Sequence, residues 1–413
     1  MARTDAMVLG AGIVGTSIAL HLALRGASVA LIDRGGPGEA TSYGNTGIIG
    51  STVYPTAFPR GFARLLRIAS KRAPEANYHL SNLARVLPWL MAYRAASSPQ
   101  RLPETARLIR PLMARAVAEH EILIAEAGAG RYLRKQGMIT LYRTERALAR
   151  LWTELALAVE LGVTIKFYDG QQVRALEPNL APVFQAAVHW LDSVSVTDPL
   201  ALTRAYAKRF DTLGGIGLQG DARTLHRAAG RWRVDTSEGP IDADQTVIAL
   251  GPWAPDVLLP RGINLPLAVK RGYHRHFRAL GNAMLERPVI DVEKGYALAP
   301  MEQGIRLTTG AEFADRDARP TPAQLGRVLP IAQALLPLGE PVDQQPWMGS
   351  RPCFADSLPV IGRAPGHPGL WLAFGHGHVG LSLAAVTGRL ITEMMRGSVP
   401  FCDPEPYAAE RFG

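Results

Sequence analysis

Cysteine is nearly absent from this sequence of 413 residues, and lysine is scarce. The two cysteines, Cys353 and Cys402, are too few for a disulfide framework or a cysteine-rich metal site, so we expect a reducing compartment. Of the 45 basic residues, 39 are arginine and 6 are lysine, and the net charge of +9 is scattered along the chain. Basic residues are not interleaved with aromatic ones as in surfaces that bind nucleic acids, so we expect no nucleic-acid partner.

The sequence also lacks an apolar run of transmembrane length and a secretion signal before its first motif, which predicts a cytoplasmic protein. Positive charge is densest at residues 60–72, RGFARLLRIASKR, in which several basic residues share one helical face: Arg60, Arg64, Arg67, Lys71 and Arg72. Either this face is simply solvated, or it contacts a protein partner or the inner face of a membrane as a peripheral protein would.

Length and composition indicate an ordinary globular protein with two domains. The chain is too long for one comfortable core, and 47% hydrophobic with 20% charged residues excludes a disordered chain. No internal repeat is visible, which argues against a solenoid.

The first thirty-odd residues have the order strand, glycine turn, helix and strand. The strand AMVLG is followed by the turn Gly10-Ala11-Gly12-Ile13-Val14-Gly15, a helix that ends near Gly26, and the strand SVALID, which stops at Asp33 before Arg34. Gly10 permits the tight turn, Gly12 allows the backbone to approach a pyrophosphate, and Gly15 lets the helix lie close to the sheet. Asp33 is placed to accept hydrogen bonds from ribose hydroxyls. This context favours a dinucleotide site over a purely structural glycine turn.

After Asp33 the chain enters RGGPGEATSYGNTGIIG, which predicts a long extended loop able to run along an elongated cofactor. Further on, helices are predicted at residues 104–126, with Pro111 as a kink, and at 145–161. Asp198 and Pro199 predict the start of another helix, and strands are expected at KQGMITLYRT, QTVIAL, LAVKRGYHRHF and YALAPMEQGIRLTTG. A final helix is expected at TPAQLGRVLPIAQALLP. This alternation predicts a doubly wound α/β nucleotide domain with an antiparallel sheet in a second lobe.

The sequence resembles the FAD-dependent D-amino-acid oxidase superfamily from end to end, and most closely its bacterial D-amino-acid dehydrogenase branch. The resemblance is carried by VLGAGIVG with LIDR, GEATSYGNTG, KQGMITLYRTE, KRGYH and GSRPCFADSLPVIGRAPGHPGLWLAFGHGHVGLSLAAVTGRLI. It implies a Rossmann-like FAD-binding domain at residues 1–85, 150–260 and 343–413. An interleaved α+β substrate-binding domain is implied at residues 86–149 and 261–342.

The resemblance implies extended, noncovalently bound FAD, because the Gly-His-Gly loop lacks the cysteine used for covalent attachment. The residues expected to hold the cofactor are Gly10, Gly12, Ile13, Val14, Gly15, Asp33, Arg34, Thr41, Ser42, Asn45, Gly47, Gly251, Gly375, Gly377, Val379 and Gly380. Segment 54–100 matches no motif, although in this branch it lies near the substrate entrance.

For the substrate, the resemblance assigns Arg351 to the carboxylate, and a bidentate guanidinium suits this task. Tyr296 is expected to hold the same carboxylate, unless it only packs within its strand. Arg306 is either a second carboxylate ligand or a surface residue, and Tyr273 is expected beneath the site. No general base is evident, and hydride loss from a neutral amine needs none.

His376 and His378 in FGHGHVG invite a metal site, but no companion ligand motif accompanies them, so none is expected. We expect instead a loop that stays close to the flavin and leads into a helix whose N-terminus stabilises negative charge on the reduced ring. His376 is expected to orient the loop. His378 is expected to face the substrate and tune its specificity.

The predicted activity is dehydrogenation of a D-amino acid, in particular D-hydroxyproline or D-proline, with electrons passed to a quinone or another respiratory carrier. One alternative is an oxidase of glycine, sarcosine or another secondary amine that releases hydrogen peroxide. Two further alternatives are a flavoprotein acting on tRNA and a binding protein without catalysis.

Overall fold

The computed structural model describes residues 2–50, 55, 57–59 and 61–413. These residues form two large sheets with helices packed against them, so the predicted α/β class is confirmed. Arg60 of the basic run lies outside the described residues, as does part of segment 54–100.

The strands, in chain order, are β1 Ala2–Leu9, β2 Val29–Asp33, β3 Ile48–Ile49, β4 Ala76–Tyr78, β5 Leu133–Arg134, β6 Met138–Tyr142, β7 Ile165–Asp169, β8 Ala186–Trp190, β9 Val194–Val196, β10 Ile216–Gln219, β11 His226–Ala228, β12 Arg231–Thr236, β13 Gly239–Ile248, β14 Ala268–Ala279, β15 Val289–Asp291, β16 Tyr296–Met301, β17 Gly304–Thr308, β18 Ala311–Phe313, β19 Leu338–Pro341, β20 Trp347–Cys353, β21 Val360–Arg363 and β22 Leu370–Phe374. The helices are α1 Ile13–Ala23, α2 Phe62–Ala69, α3 Leu80–Ala96, α4 Arg101–Glu126, α5 Glu145–Glu160, α6 Gln172–Leu176, α7 Pro199–Thr212, α8 Ala254–Leu258, α9 Ala323–Leu335 and α10 Gly380–Met395.

The first sheet has a parallel centre in the order β10-β2-β1-β13-β22, with β12, β11 and β21 added antiparallel. Helices α1, α4, α7 and α10 share one apolar core on this sheet, and α8 contributes to the core on its other face. Strands covered on both sides must be apolar throughout, which explains the unbroken run Met7-Val8-Leu9 in β1.

Helix α1 lies unusually close to the turn from which it starts. A Cβ atom built on Gly15 would be 1.8 Å from the carbonyl oxygen of Gly10. Only glycine fits at this point, which is the close packing that the sequence predicts. The N-terminus of α1 is thereby held at the carboxyl ends of β1 and β2.

The second sheet is largely antiparallel, in the order β4-β18-β14-β17-β16-β15-β6-β8-β7, with β19 and β20 also paired to β14. The exceptions are the parallel pairs β15 with β6 and β18 with β4. Helix α9 packs on this sheet with residues of β14, β16 and β17, while α5 packs on β6 and β8. A small third sheet joins β3, β9 and β5.

The sheets divide the chain differently from the predicted domain boundaries in four places. The FAD-binding domain was assigned residues 1–85, 150–260 and 343–413. Four strands within these ranges belong to the second sheet instead, namely β4, β7, β8 and β20. Helix α4, assigned to the substrate-binding domain, packs against α10 in the core of the first sheet. Strand pairing across distant segments decides these memberships, and local sequence patterns do not encode it.

Most local predictions agree with the structure. The Asp198 side chain caps α7 by accepting a hydrogen bond from the Ala201 N–H, with Pro199 as the first helical residue. Helix α4 continues through Pro111, as predicted. The loop after β2 is less extended than predicted, because it contains a helical turn at Thr41–Gly44 and strand β3.

A buried charge network joins β14 to β18 and β4 in the second sheet. The Glu312 carboxylate accepts hydrogen bonds from Arg271 Nε and Nη2 at 2.9 and 2.6 Å and from the Tyr273 hydroxyl at 2.6 Å. It also accepts from Asn77 Nδ2 at 2.9 Å and from the Thr321 hydroxyl. Burial raises the pKa of Glu312, but hydrogen bonds from Thr321, Tyr273 and Arg271 outweigh it and leave the pKa below its usual value.

Replacing Glu312 by glutamine is expected to lower the free energy of unfolding by about 3 kcal/mol, because the buried Arg271 guanidinium loses its counter-charge. The midpoint of chemical denaturation, followed by tryptophan fluorescence, measures the effect. Glu160→Gln is the matched control, since its ion pair with Arg107 is exposed and should cost about 1 kcal/mol or less. Equal shifts for the two variants would contradict the assigned role of Glu312.

Candidate active site

A cavity of about 590 Å³ runs from the carboxyl end of β2, past the glycine turn after β1, to the face formed by β14 and β20. Of the residues predicted to form the site, the cavity is lined by Gly10, Gly12, Ile13, Val14, Asp33, Arg34, Thr41, Ser42, Asn45, Gly251, Arg351, Gly377, His378 and Gly380. Residues 10–45, near the start of the chain, and residues 349–380, near its end, therefore line the same elongated cavity.

The glycine turn after β1 presents backbone to the cavity. Gly10 has a φ of +107°, and a Cβ there would be 2.6 Å from the Ala249 carbonyl oxygen. Ile13 begins α1, and its N–H donates to the Ser42 hydroxyl at 2.9 Å. Ser42 therefore lies at the positive end of the α1 dipole, where a phosphate is favoured.

Asp33 stands at the end of β2 and orders the backbone around it. Its carboxylate accepts hydrogen bonds from the Ala11 N–H at 2.6 Å and from the Gly35 N–H at 3.0 Å. Arg34 follows, with its guanidinium 5.9 Å from the ring centroid of Trp253. A carboxylate at this edge is suited to ribose hydroxyls.

The residues present fit a dinucleotide such as FAD. The cavity is long, has a helix N-terminus and side-chain-free glycines at its middle, and carries a carboxylate at one end. At the other end the N-terminus of α10 begins at Gly380, directly after the loop at residues 375–379. The positive end of that dipole would stabilise negative charge on a reduced flavin ring bound at this end of the cavity.

The loop at residues 41–47 is held from below by Arg306. The Arg306 guanidinium donates to the carbonyl oxygens of Tyr43, at 2.9 Å, and Asn45, and its Nε to His276 Nε2 at 2.9 Å. Asp343 in turn contacts His276 Nδ1 at 2.8 Å. The structure supports neither reading of Arg306: the residue is only 2% exposed, so it is not on the surface, and it supports this loop instead of lining the cavity.

Four predicted cofactor residues do not line the cavity but shape the backbone that does. Gly15 and Gly47 sit where a Cβ would strike a carbonyl oxygen, of Gly10 at 1.8 Å and of Val196 at 2.2 Å. Gly375 lies against the Phe354 ring, where a Cβ would be 2.2 Å away. The Val379 N–H donates to the His376 carbonyl oxygen at 3.0 Å and closes the turn before α10.

Arg351 extends from β20 into the cavity without an anionic partner among the described residues. Its guanidinium donates only to main-chain carbonyls, chiefly those of Gly310 at 3.1 Å and Thr309 at 3.4 Å. It lies over Gly272, where a Cβ would be 2.2 Å from Nη1. Burial lowers the pKa of Arg351, although an arginine stays charged at neutral pH. The arrangement suits an incoming carboxylate.

The two histidines of the Gly-His-Gly loop have different surroundings. His376 is buried, its Nε2 lies 3.0 Å from the Thr387 hydroxyl of α10, and burial lowers its pKa to about 4. The side chain of His378 is open to the cavity. Desolvation by the surrounding protein lowers its pKa below the usual range, and the positive charges of Arg351 and Lys270 lower it further. No group of metal-ligating side chains suited to a metal ion occurs among the described residues.

Tyr296 is placed differently from the prediction. It is buried in the core of the second sheet, with its hydroxyl 3.5 Å from Arg143 Nη2, and it is not among the residues that line the cavity. Tyr273, in contrast, lines the cavity, with its hydroxyl engaged by Glu312 beneath the site. The expected contact of Tyr296 with a substrate carboxylate has no support in this geometry.

Sequence reasoning missed Trp347, which lines the cavity at the start of β20. Its indole stacks on the His274 ring at a centroid distance of 4.9 Å and fills the space over two glycines, Gly44 and Gly349. A Cβ on either glycine would overlap the indole, at 1.6 and 2.1 Å. Its position four residues before Arg351, the residue assigned to the substrate carboxylate, was the available indication.

Comparison with known proteins identifies the family of this chain. A family model described as FAD dependent oxidoreductase, DAO, matches residues 5–394. A D-amino-acid oxidase from Bradyrhizobium diazoefficiens is 29% identical over 423 residues, covering 98% of each chain. A D-amino acid dehydrogenase from Chromohalobacter salexigens is 27% identical over 419 residues, covering 98% of this chain and 99% of the relative.

Among solved structures, a glycine oxidase from Geobacillus kaustophilus superposes with a TM-score of 0.75 at 23% identity, covering 99% of both chains. At this identity the likeness shows the shared fold. The family match spans nearly the whole chain, and the cavity carries the features that a dinucleotide needs. The chain therefore belongs to the DAO family of FAD-dependent oxidoreductases, with FAD as its cofactor.

Proposed function

We propose that this protein is a D-amino-acid dehydrogenase. The observation that carries the proposal is Arg351, a partly buried guanidinium that faces the cavity with no carboxylate partner among the described residues. A planar guanidinium binds a carboxylate bidentately and fixes its orientation. The α-carboxylate of an amino acid is the matching group. The relatives named D-amino-acid oxidase and D-amino acid dehydrogenase support the same substrate class.

When bound, FAD supplies the acceptor for the hydride that leaves the substrate α-carbon. The substrate loses two electrons and becomes an imino acid, which water hydrolyses to a 2-oxo acid and ammonia or which cyclises. Arg351 holds the carboxylate so that the α-carbon has one fixed position. Neither Cys353 nor Cys402 lines the cavity, which favours noncovalent cofactor binding.

His378 is proposed to contact the substrate amine or a substituent next to it. Its lowered pKa keeps the imidazole neutral near pH 7, so that one ring nitrogen can accept a hydrogen bond. A neutral ring also avoids adding a third positive charge beside Arg351 and Lys270. No general base is required, since the amine that loses the hydride is itself neutral.

Within this class, the sequence favours D-hydroxyproline or D-proline, with a quinone or another respiratory carrier as the electron acceptor. The alternative is an oxidase of glycine, sarcosine or another secondary amine that reduces oxygen to hydrogen peroxide. Because a glycine oxidase has the same fold, the substrate panel below includes glycine and sarcosine.

Surface helices α2 and α3 favour action at the cytoplasmic face of a membrane, close to a quinone pool. Residues 61–100 contain six basic residues and one acidic residue. Large apolar side chains in this segment point to solvent, namely Phe62, Leu65 and Leu66 in α2 and Leu80, Leu83, Leu87 and Met91 in α3. Exposed apolar side chains beside positive charge match an anionic lipid surface. The described residues include no helix that is long and apolar enough to cross a membrane.

Anaerobic bleaching of the bound flavin is expected with D-amino acids and not with their L-enantiomers. The panel contains D-alanine, D-aspartate, D-proline and D-hydroxyproline, their L-forms, glycine and sarcosine. Little peroxide in air and rapid reduction of a soluble quinone would support the dehydrogenase. Bleaching by glycine or sarcosine with stoichiometric peroxide would instead establish the oxidase, and no bleaching by any compound would refute both.

Replacing Gly272 by alanine is expected to raise the KM for the amino acid about 10- to 100-fold, because the new Cβ displaces the Arg351 guanidinium. The flavin absorption spectrum and the FAD content should stay unchanged. Gly326→Ala is the matched control, since nothing lies within 4 Å of a Cβ built there. An unchanged KM for Gly272→Ala would contradict the proposal that Arg351 binds the substrate carboxylate.

Co-sedimentation with vesicles tests the membrane contact. We expect binding to vesicles of phosphatidylglycerol and phosphatidylcholine, and little binding to phosphatidylcholine alone, because the basic residues need anionic lipid. The double variant Phe62→Glu, Leu66→Glu should lose binding, whereas Val399→Glu, at a residue 92% exposed elsewhere, should not. Absence of wild-type binding, or unchanged binding of the double variant, would overturn the proposal.

A further inference from the structure

Two glycines stand directly opposite each other at the substrate end of the cavity. Gly272 of β14 pairs with Gly349 of β20 in the antiparallel register, and both residues line the cavity. Opposite residues of such a pair have Cα atoms about 5 Å apart. Because neither residue has a side chain, this face of the sheet leaves a space that neighbouring side chains can enter.

Arg351 and Trp347 enter this space side by side. They lie four positions apart in β20, so their side chains emerge on the same face, with Gly349 between them. The guanidinium lies over Gly272, where a Cβ would be 2.2 Å from Nη1. The indole lies over Gly349, where a Cβ would be 2.1 Å from Cη2. Since the two glycines are opposite each other, the guanidinium and the indole are about one strand spacing apart.

The indole of Trp347 turns its apolar edge towards the residues that line the cavity. The side-chain atoms nearest to a Cβ on Gly44 or Gly349 are Cζ3 and Cη2, which belong to the six-membered ring. Trp347 is half-buried and lines the cavity itself, as do both of these glycines. A hydrocarbon wall therefore stands next to the cation that is proposed to hold the substrate carboxylate.

Two aromatic neighbours fix this wall. The indole stacks on the His274 ring at a centroid distance of 4.9 Å and an interplanar angle of 25°. The Tyr43 ring meets the indole nearly edge-on, at 5.7 Å and 78°. Stacked and edge-to-face pairs are both favourable arrangements of aromatic rings. The position of Trp347 is therefore set before a substrate arrives.

The other side of Arg351 is polar. The Gly377 N–H donates to the Pro352 carbonyl oxygen at 2.8 Å, so the Gly-His-Gly loop is attached to β20 directly after Arg351. His378 lines the cavity from this loop. Trp347 lies on the opposite side, four residues before Arg351. A carboxylate bound to Arg351 thus has a hydrogen-bonding imidazole on one side and an apolar wall on the other.

We infer that Trp347 contacts the substrate side chain and selects a compact apolar one, with the five-membered ring of D-proline as the best fit. The inference rests on the proposed function, in which Arg351 binds the α-carboxylate, and adds the residue that selects the side chain. A charged side chain would lose its water against the indole edge, which offers no hydrogen bond in return. A broader side chain would collide with a wall held in place by its neighbours. Trp347 takes no part in hydride transfer.

The test compares kcat/KM for D-proline, D-leucine and D-phenylalanine in wild type and in Trp347→Ala. We expect D-proline to be the best of the three in wild type. In the variant its kcat/KM should fall about 10- to 100-fold, as for the loss of several methylene contacts, and that for D-phenylalanine should rise about 10-fold because space has opened. Trp347→Phe, which keeps a ring against His274, should give intermediate values.

Trp152→Ala is the matched control, because that tryptophan also stacks on an aromatic ring, Phe167 at 5.4 Å, and does not line the cavity. It should behave as wild type on all three substrates. Proportional losses on every substrate in both Trp347 variants would overturn the inference and assign Trp347 a purely structural role. A wild-type preference for D-leucine or D-phenylalanine over D-proline would overturn it as well.

Ligand binding without turnover separates failure of this inference from failure of the proposed function. Pyrrole-2-carboxylate and acetate, which share the carboxylate and differ in the ring, are titrated into the FAD-loaded protein by calorimetry. We expect pyrrole-2-carboxylate to bind wild type at least about 10-fold more tightly, and Trp347→Ala to reduce the difference to less than about threefold.

Equal affinity of the two carboxylates in wild type would contradict the inference, even if D-amino acids bleach the flavin. A ring preference that disappears in Trp347→Ala, combined with no bleaching by any amino acid, would refute the dehydrogenase proposal. Trp347 would then still be the wall of a site that binds carboxylates with a compact apolar ring.

Discussion

The pairing of β14 with β20 is the interaction on which the site depends. Seven residue pairs, from Ala268 with Cys353 to His274 with Trp347, hold the two strands in one register. A shift by one residue would turn every side chain of one strand to the opposite face of the sheet. Arg351 would then leave the cavity, and the space over Gly272 that it occupies would stay empty. The register of this one strand pair therefore determines which side chains line the substrate end of the cavity.

Other elements attach to this pair and keep it in place. The Gly377 N–H donates to the Pro352 carbonyl oxygen at 2.8 Å, so the Gly-His-Gly loop is fixed directly to β20. From the opposite side, Glu312 and Arg271 neutralise each other beneath β14. The low dielectric of this interior makes every unpaired charge costly. At the cavity, the Arg351 guanidinium donates only to main-chain carbonyl oxygens and remains free to bind an anion.

Several residues show that the sequence predicts the type of side chain in a site more readily than it predicts which residue of that type lies there. Arg306 and Arg351 are the same residue type in two strands that both pair with β14, but one supports a loop and the other faces the cavity. Tyr296 has the strand context expected of a ligand, and its hydroxyl is near Arg143 instead. The difference lies in which strands flank each residue and on which face its side chain emerges. These are long-range properties, and a local motif does not contain them.

The sequence by itself determined the dinucleotide turn, the helix caps, most strands and the cofactor class, because each depends on residues close together in the chain. A glycine that must lie against a carbonyl, or an aspartate that caps a helix, acts over a few residues. Tertiary structure alone decided the division of segments between the two sheets, the role of Trp347, and the placement of Lys270 beside Arg351. Lys270 and Arg351 are 81 positions apart, and only the strand register makes them neighbours. Cross-strand pairing places residues that are distant in the sequence side by side, and that is the physical reason why their arrangement could not be read from local patterns.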